Sequence, residues 1–258
     1  MEISFFKYQG AGNDFVMIDN RFNKHSLSTA QIARMCDRKF GVGADGLILL
    51  SNSVESDFKM EYYNSDGTIG SMCGNGGRCI VAFAEKIGIV NKTYVFETYD
   101  GLHNAQVCSK DLISLSMCDV LEIEQNKRDW VLDTGSPHLV QFVPSVQNIN
   151  VKKCGAEIRF SDTYAKKGIN VNYVELSNEE LLIRTYERGV EDETLACGTG
   201  ATASAIAAFE SGLITKAPIK LKALGGNLEV SFTKVKNKYT NIKLMGAAKF
   251  VYKGTINV

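Results

Sequence analysis

Met72-Cys-Gly-Asn-Gly-Gly-Arg-Cys79 returns in altered form as Ala196-Cys-Gly-Thr-Gly200 near the other end of the chain. Each leading cysteine, Cys73 and Cys197, stands fifteen residues before a glycine, Gly88 and Gly212 (88 − 73 and 212 − 197). In the first copy Ile80, Phe83, Ala84 and Ile87 fall at helical spacing; in the second an alanine-rich run fills the interval. The closing glycines suit the left-handed residue that ends a helix. Both phrases therefore predict a glycine loop opening a helix, with a thiol where the helix begins. The first turn of a helix leaves N–H groups unpaired and carries partial positive charge, which favours a bound anion and makes a thiol more acidic. One Cys-Gly loop would ordinarily be core or turn. Two copies with matched helix lengths point to a pair of reactive thiols.

Sliding the sequence by 124 (197 − 73) extends the repeat beyond the cysteines. Tyr8-Gln-Gly-Ala-Gly-Asn-Asp-Phe-Val16 falls on Leu132-Asp-Thr-Gly-Ser-Pro-His-Leu-Val140, Gly46 on Asn170, and Asp100-Gly101 on Leu224-Gly225. Leu112 to Met117 fits less well, landing on the polar stretch Lys236 to Asn241. A constant offset over separate features predicts a duplicated α+β architecture. The expectation is two pseudo-symmetric strand-rich lobes, each a mostly antiparallel sheet wrapped around a central helix. The lobes are expected at residues 1–120 and 130–258, with the polar, aperiodic stretch 121–129 as linker. An approximate twofold axis between such units would bring the cysteine loops face to face across a cleft.

Locally, residues 2 to 8 and 14 to 19 are expected as strands around the turn Gln9-Gly-Ala-Gly-Asn-Asp14. Ser28-Thr-Ala-Gln31 has capping-box order and opens a helix with Ile32, Met35 and Cys36 on its apolar face, ended by Gly41. Gly41-Val-Gly-Ala-Asp-Gly46 precedes the apolar run Leu47 to Leu50 instead of opening a helix after a strand, so it is a poor dinucleotide fingerprint. Phe58 to Tyr63, Tyr94 to Thr98 and Leu112 to Met117 are further strands, and Asn64-Ser-Asp-Gly67 is a turn leading to Cys73.

With 258 residues, 45% hydrophobic and 22% charged, the chain is globular and long enough for a sizeable core. Lys plus Arg equals Asp plus Glu at 29 each, so nothing in the charge points to nucleic acid or an anionic membrane. No apolar run has the length of a membrane span, and Met1-Glu-Ile-Ser-Phe-Phe-Lys7 lacks signal-peptide order, so a cytoplasmic location is expected. Seven cysteines without a Cys-x-x-Cys argue against a disulfide framework and a zinc ribbon. His25, His103 and His138 are scattered, so no metal site is expected. The expected partner is a small molecule.

Two thiols at helix starts suit inversion of a carbon acid beside a carboxylate. One thiolate removes the proton from one face, the other thiol supplies one to the opposite face, and the roles exchange in reverse. Helix-start N–H groups would receive the negative charge that grows on the carboxylate. This chemistry requires no metal, nicotinamide or pyridoxal. A reversible Cys73–Cys197 disulfide and a non-catalytic binder of small anions are the other readings of the same residues.

Gly10-Ala-Gly-Asn-Asp-Phe15, Asn64-Ser-Asp-Gly67, Cys73-Gly-Asn-Gly-Gly-Arg-Cys79, Pro137-His138, Tyr186-Glu-Arg-Gly189 and Ala196-Cys-Gly-Thr-Gly200 together resemble the diaminopimelate epimerase family over nearly the whole chain. The cysteine phrases alone are shared with the wider group of cofactor-independent racemases, including those acting on proline and hydroxyproline. The resemblance implies interconversion of LL- and meso-2,6-diaminopimelate, a step of lysine and peptidoglycan precursor synthesis, by a cytoplasmic homodimer without cofactor. It implies Cys73 and Cys197 as the acid-base pair, with His138 and Glu187 tuning their proton affinities. Gly74, Asn75, Gly198 and Thr199 would hold the reacting end of the substrate, and Asn13, Asn64, Asn170, Glu187 and Arg188 the rest. Arg188 would pair with the distal carboxylate, which separates this substrate from the imino acids. Many members carry Gln where this chain has Gly46 and Asn where it has Ser136, and both positions bear on recognition of the distal end.

Overall fold

The computed structural model describes residues 1–22, 25–70 and 73–258, so Met72, the first residue of the repeated phrase, lies outside the described residues. The chain divides into two units, Met1–Leu115 with Gly246–Val258, and Ser116–Met245. Four α-helices occur among the described residues: α1 Thr29–Cys36, α2 Gly74–Lys86, α3 Val151–Arg159 and α4 Gly198–Glu210. None is long and apolar enough to cross a membrane.

In the first unit the sheet runs Lys249–Asn257, Glu2–Gly10, Asn13–Asp19, Gly46–Ser51, Phe58–Asn64, Thr93–Thr98, Gly101–Ser109 and Leu112–Ser116. Two neighbouring pairs are parallel, in register Phe15↔Gly46 and Phe58↔Phe96, and the rest are antiparallel. The sheet curves its apolar face around α2, which packs on Glu2–Gly10, Asn13–Asp19, Gly46–Ser51, Gly101–Ser109 and Lys249–Asn257. Cys79, Ile80, Val81, Phe83 and Ala84 of α2 are buried there, and Phe83 meets Phe6 and Tyr8 with ring centroids 5.1 and 5.9 Å apart.

Helix α1 contributes Ile32, Met35 and Cys36 to a cluster with Ile3, Val16, Ile18, Leu47 and Leu49. Its capping box is formed, with Gln31 N–H donating to Ser28 Oγ and Ser28 N–H to Gln31 Oε1. The helix stops at Cys36 and not at Gly41, because Asp37 turns extended (φ −62°, ψ 125°). Residues 42–44 then fold back, their N–H groups capping the carbonyls of Met35 and Cys36. Gly41 serves this return: a Cβ there would stand 2.0 Å from the Arg34 carbonyl oxygen.

The second unit repeats the order. Its strands run Ile123–Asn126, Asp129–Asp133, Pro137–Phe142, Asn170–Ser177, Glu180–Glu187, Ile219–Ala223 and Gly226–Val235. The parallel pairs fall at the same two steps, in register His138↔Asn170 and Leu181↔Leu221. Helix α4 lies exactly as far along the chain from α2 as the cysteines do, since 198 − 74 and 210 − 86 both equal 124. It is apolar nearly all round, with Ala201, Ala203, Ala205, Ile206, Ala207 and Ala208 buried, as befits a helix enclosed by its sheet. Val151 of α3 packs with Leu139, Ile169, Val171, Tyr173 and Tyr186. The architecture is α+β, with mostly antiparallel sheets around central helices. The stretch 121–129 contains strand Ile123–Asn126, paired with Asp129–Asp133, and the C-terminal strand Lys249–Asn257 pairs within the first unit.

Candidate active site

Cys73 is the N-cap of α2, extended at φ −104° and ψ 126°. The hairpin that meets it turns through Ala11 and Gly12, both with positive φ (51° and 84°), the backbone twist that tight hairpins favour. Gly10 lets the hairpin approach the helix, since a Cβ there would already lie 3.2 Å from the Asn75 carbonyl oxygen. Asn13, the first residue after the turn, donates from Nδ2 to Asp45 Oδ2 at 2.6 Å. An ionised carboxylate only accepts, so this bond fixes the amide and leaves Oδ1 facing α2. There it accepts from Cys73 Sγ and from Asn75 Nδ2, each at 3.4 Å.

Asp45 is held in turn by charge. Arg38 Nη2 lies 2.7 Å from both Asp45 Oδ1 and Asp14 Oδ1, and Lys7 Nζ pairs with Asp14 at 2.6 Å. Burial opposes ionisation of Asp14, but hydrogen bonds from Arg38 and Lys7 overcome it and hold the carboxyl down to about 2. Asn64 keeps to its own turn, where its Nδ2 donates to Thr68 Oγ1 at 3.2 Å and its N–H to the Thr68 carbonyl at 2.9 Å.

In the second unit Cys197 is the N-cap of α4 and is buried. Its Sγ lies 3.4 Å from Thr199 Oγ1, which lies 2.9 Å from His138 Nε2. The other ring nitrogen, Nδ1, is 3.1 Å from Asn172 Nδ2. The Asn172 amide is fixed, because Nδ2 also donates to the Leu139 carbonyl at 3.0 Å and Oδ1 accepts from Thr185 Oγ1 at 2.9 Å. Nδ1 therefore accepts, and the ring proton sits on Nε2, directed at Thr199. The ring is neutral: complete burial, then the positive charge of Arg188, holds His138 down to about 3. Having accepted from His138, the Thr199 hydroxyl has its own hydrogen to offer Cys197 Sγ. Gly200 permits this packing, since a Cβ there would stand 2.4 Å from Asn172 Oδ1.

Asn170, the first residue of its strand, donates from Nδ2 to Ser136 Oγ at 2.9 Å and to the Pro137 carbonyl at 3.0 Å. Its Oδ1 accepts the Arg188 N–H at 2.8 Å. The exposed Arg188 guanidinium donates to the Lys167 carbonyl at 3.0 Å and reaches Ser136 Oγ at 3.4 Å. Glu187 accepts from Thr194 Oγ1 at 3.0 Å.

The structure thus groups Asn13, Cys73, Gly74 and Asn75 in the first unit, and His138, Asn170, Arg188, Cys197, Gly198 and Thr199 in the second. Sequence reasoning passed over Asp45, Arg78, Asn172 and Thr185. The alternation Asn170-Val-Asn172 within a buried strand was a usable signal for Asn172, because residues two apart share a face.

The family model for diaminopimelate epimerase matches residues 5–120 and 130–251. The diaminopimelate epimerase of Flavobacterium psychrophilum is 53% identical over 253 residues, covering 97% of this chain and 99% of that protein. The chain belongs to the diaminopimelate epimerase family. It is also 42% identical to the diaminopimelate epimerase of Chlorobaculum tepidum, over 96% of this chain and 99% of that one. Among solved structures, a phenazine biosynthesis protein of the PhzF family from Bacillus anthracis shares the fold, with a TM-score of 0.77, 14% identity and 100% of both chains covered. Membership makes the chain an isomerase of the epimerase class. Ser136 bridges Asn170 and Arg188, and Gly46 faces the Tyr62 ring, 2.5 Å from where a Cβ would be.

Proposed function

We propose that this epimerase interconverts LL- and meso-2,6-diaminopimelate by a two-base mechanism in which Cys73 and Cys197 are the acid and base. The observation that carries the reading is the same residue at the same place twice: a cysteine N-cap before a glycine, opening the central helix of two units with one strand order. A helix start stabilises a thiolate, and its N–H groups stabilise charge growing on the reacting carboxylate. In one direction a thiolate takes the α-proton and the other thiol returns one to the opposite face; in the other direction they exchange roles.

His138 and Glu187 tune the thiols, His138 through the Thr199 hydroxyl. Gly74, Asn75, Gly198 and Thr199 hold the reacting end, and Asn13, Asn64, Asn170, Glu187 and Arg188 the remainder of the substrate. The exposed fork of Arg188, steadied by Ser136 and the Lys167 carbonyl, suits two-bond pairing with the distal carboxylate. The enzyme works without cofactor, in the cytoplasm, as a homodimer, and feeds lysine and peptidoglycan precursor synthesis.

Turnover of LL-diaminopimelate in heavy water, with Cys73→Ser and Cys197→Ser alongside the unaltered protein, tests this. Solvent deuterium should enter at the inverted carbon, each variant should lose most activity, and chelators and carbonyl reagents should have no effect. A near-normal rate in either variant overturns the assignment.

A further inference from the structure

Arg78 is the largest fully buried side chain among the described residues, with 0% of its surface exposed. It lies one turn into α2, donating from Nη2 to Asn75 Oδ1 at 2.7 Å and from Nη1 to the Gly74 carbonyl at 3.2 Å, while its Nε has no partner. No carboxylate pairs with it among the described residues. The ionisable groups that act on it are two thiols, Cys79 and Cys73. Burial pushes the Cys79 thiol up to about 12, so Cys79 stays neutral, and Cys73 is the thiol whose ionised form would offset the charge.

A buried cation without a carboxylate partner is expensive, and a fold that needed only volume at this position would place an uncharged residue there. The second unit does so in kind. At the position 124 residues on (78 + 124) stands Thr202, whose hydroxyl donates to the Gly198 carbonyl at 3.0 Å. The guanidinium also decides how Asn75 is turned. A guanidinium only donates, so it claims Asn75 Oδ1 and directs Nδ2 to Asn13, the residue that also accepts from Cys73.

Resting on the two-thiol reading above, we propose that Arg78 is a positioning residue of the site: it locks the Asn75 amide with its N–H₂ group toward Asn13 and Cys73, and its buried positive charge awaits the substrate's carboxylate as counter-ion at the first turn of α2. Activity and stability then pull apart at this position, as they do where a site is built at the expense of the fold.

Arg78→Met and Arg78→Lys, each alone and combined with Asn75→Ala, test the proposal through the melting temperature of the unliganded protein and kcat and KM for LL-diaminopimelate. Arg78→Met should melt at or above the unaltered protein, while kcat/KM falls about tenfold or more, the scale of a lost charge-assisted hydrogen bond. Added to Asn75→Ala, it should cost less than about twofold further, because both changes remove one arrangement. Arg78→Lys keeps the charge without the fork and should recover part of the loss. A kcat/KM within about twofold of normal, or losses that simply multiply with Asn75→Ala, overturns the proposal, and so does a large fall in melting temperature with normal turnover. Should Arg78→Met not fold, the Arg78→Lys cycle with Asn75→Ala decides alone. Cys73→Ser and Cys197→Ser, run in parallel, separate the two ideas. Activity surviving in those variants removes the two-thiol reading, whereas their inactivity beside normal Arg78 variants removes only the role of Arg78.

Discussion

Asn172 Nδ2 lies 3.1 Å from His138 Nδ1, and the amide is the donor in that contact. Thr185 Oγ1 donates to the amide oxygen at 2.9 Å and the Leu139 carbonyl accepts the other Nδ2 hydrogen at 3.0 Å, so the imidazole must carry its proton on Nε2. Nitrogen-15 NMR of histidine-labelled protein should show Nδ1 unprotonated and Nε2 protonated at neutral pH. Asn172→Asp replaces the donor by an acceptor, draws a proton onto Nδ1, and leaves Nε2 to accept from Thr199 if the ring stays neutral. Turnover should fall about a hundredfold, the lower end of what a positioned acid-base group contributes. A protonated Nδ1 in the unaltered protein would remove this relay.

The neutral state of His138 also ties stability to pH. Its ordinary value is 6.5 and burial holds it to about 3 in the fold. Above the ordinary value neither state is protonated and the contribution is nil. As pH falls through that value the unfolded chain binds a proton that the folded protein refuses, so stability drops as pH drops. The slope approaches about 1.4 kcal/mol per pH unit, until the folded ring protonates too. Urea unfolding at several values between pH 4 and 7 should show this slope, and His138→Asn should flatten it by about that amount. Equal slopes in the two proteins would show that His138 is not the group responsible.

Thr199 joins His138 to Cys197 through a single oxygen, at 2.9 and 3.4 Å. Thr199→Ser keeps that oxygen and should leave kcat within about threefold of normal. Thr199→Val keeps the shape, strands the Nε2 proton of His138, and should lower kcat about tenfold to a hundredfold, the scale of an unsatisfied buried donor. Progress curves in both directions would measure it. A Val variant as active as the Ser variant would show that the hydroxyl plays no part.

Much of this arrangement is legible in the sequence because it is said twice. The offset of 124 foretells α2 and α4, since glycine loops and helix-ending glycines are local signals. The end of α1 was not, because Asp37 breaks the helix for the sake of a loop that caps it, a tertiary preference over a local one. Nor was the strand Ile123–Asn126: only Ile123 is apolar and the three residues after it are polar and exposed, so it is held by backbone pairing with Asp129–Asp133 and leaves no apolar alternation to read. Asp45 and Arg78 stood inside quoted motifs, but their roles follow from which amide each one orients. Spacing along the chain carries no such information.

Gly46 and Tyr62 make the remaining case. A Cβ at Gly46 would stand 2.5 Å from Tyr62 Cε2 and 2.6 Å from the Tyr63 carbonyl oxygen, and the same ring lies 2.5 Å from a Cβ at Gly70. The ring thus fills the space beside two glycines, packed edge-on to Phe15 with centroids 6.1 Å apart. A glutamine at position 46 has no room here unless both Tyr62 and the Tyr63 carbonyl move. Gly46→Ala should therefore cost about 1–3 kcal/mol of stability, the usual penalty for overpacking. In a Tyr62→Ala background the cost should shrink, because the ring is gone, yet persist in part, because the Tyr63 carbonyl belongs to the backbone of a paired strand. Urea unfolding of the two single variants and the double variant measures the coupling. An equal cost in both backgrounds would mean that the strand backbone, and not the tyrosine, forbids a side chain at this position.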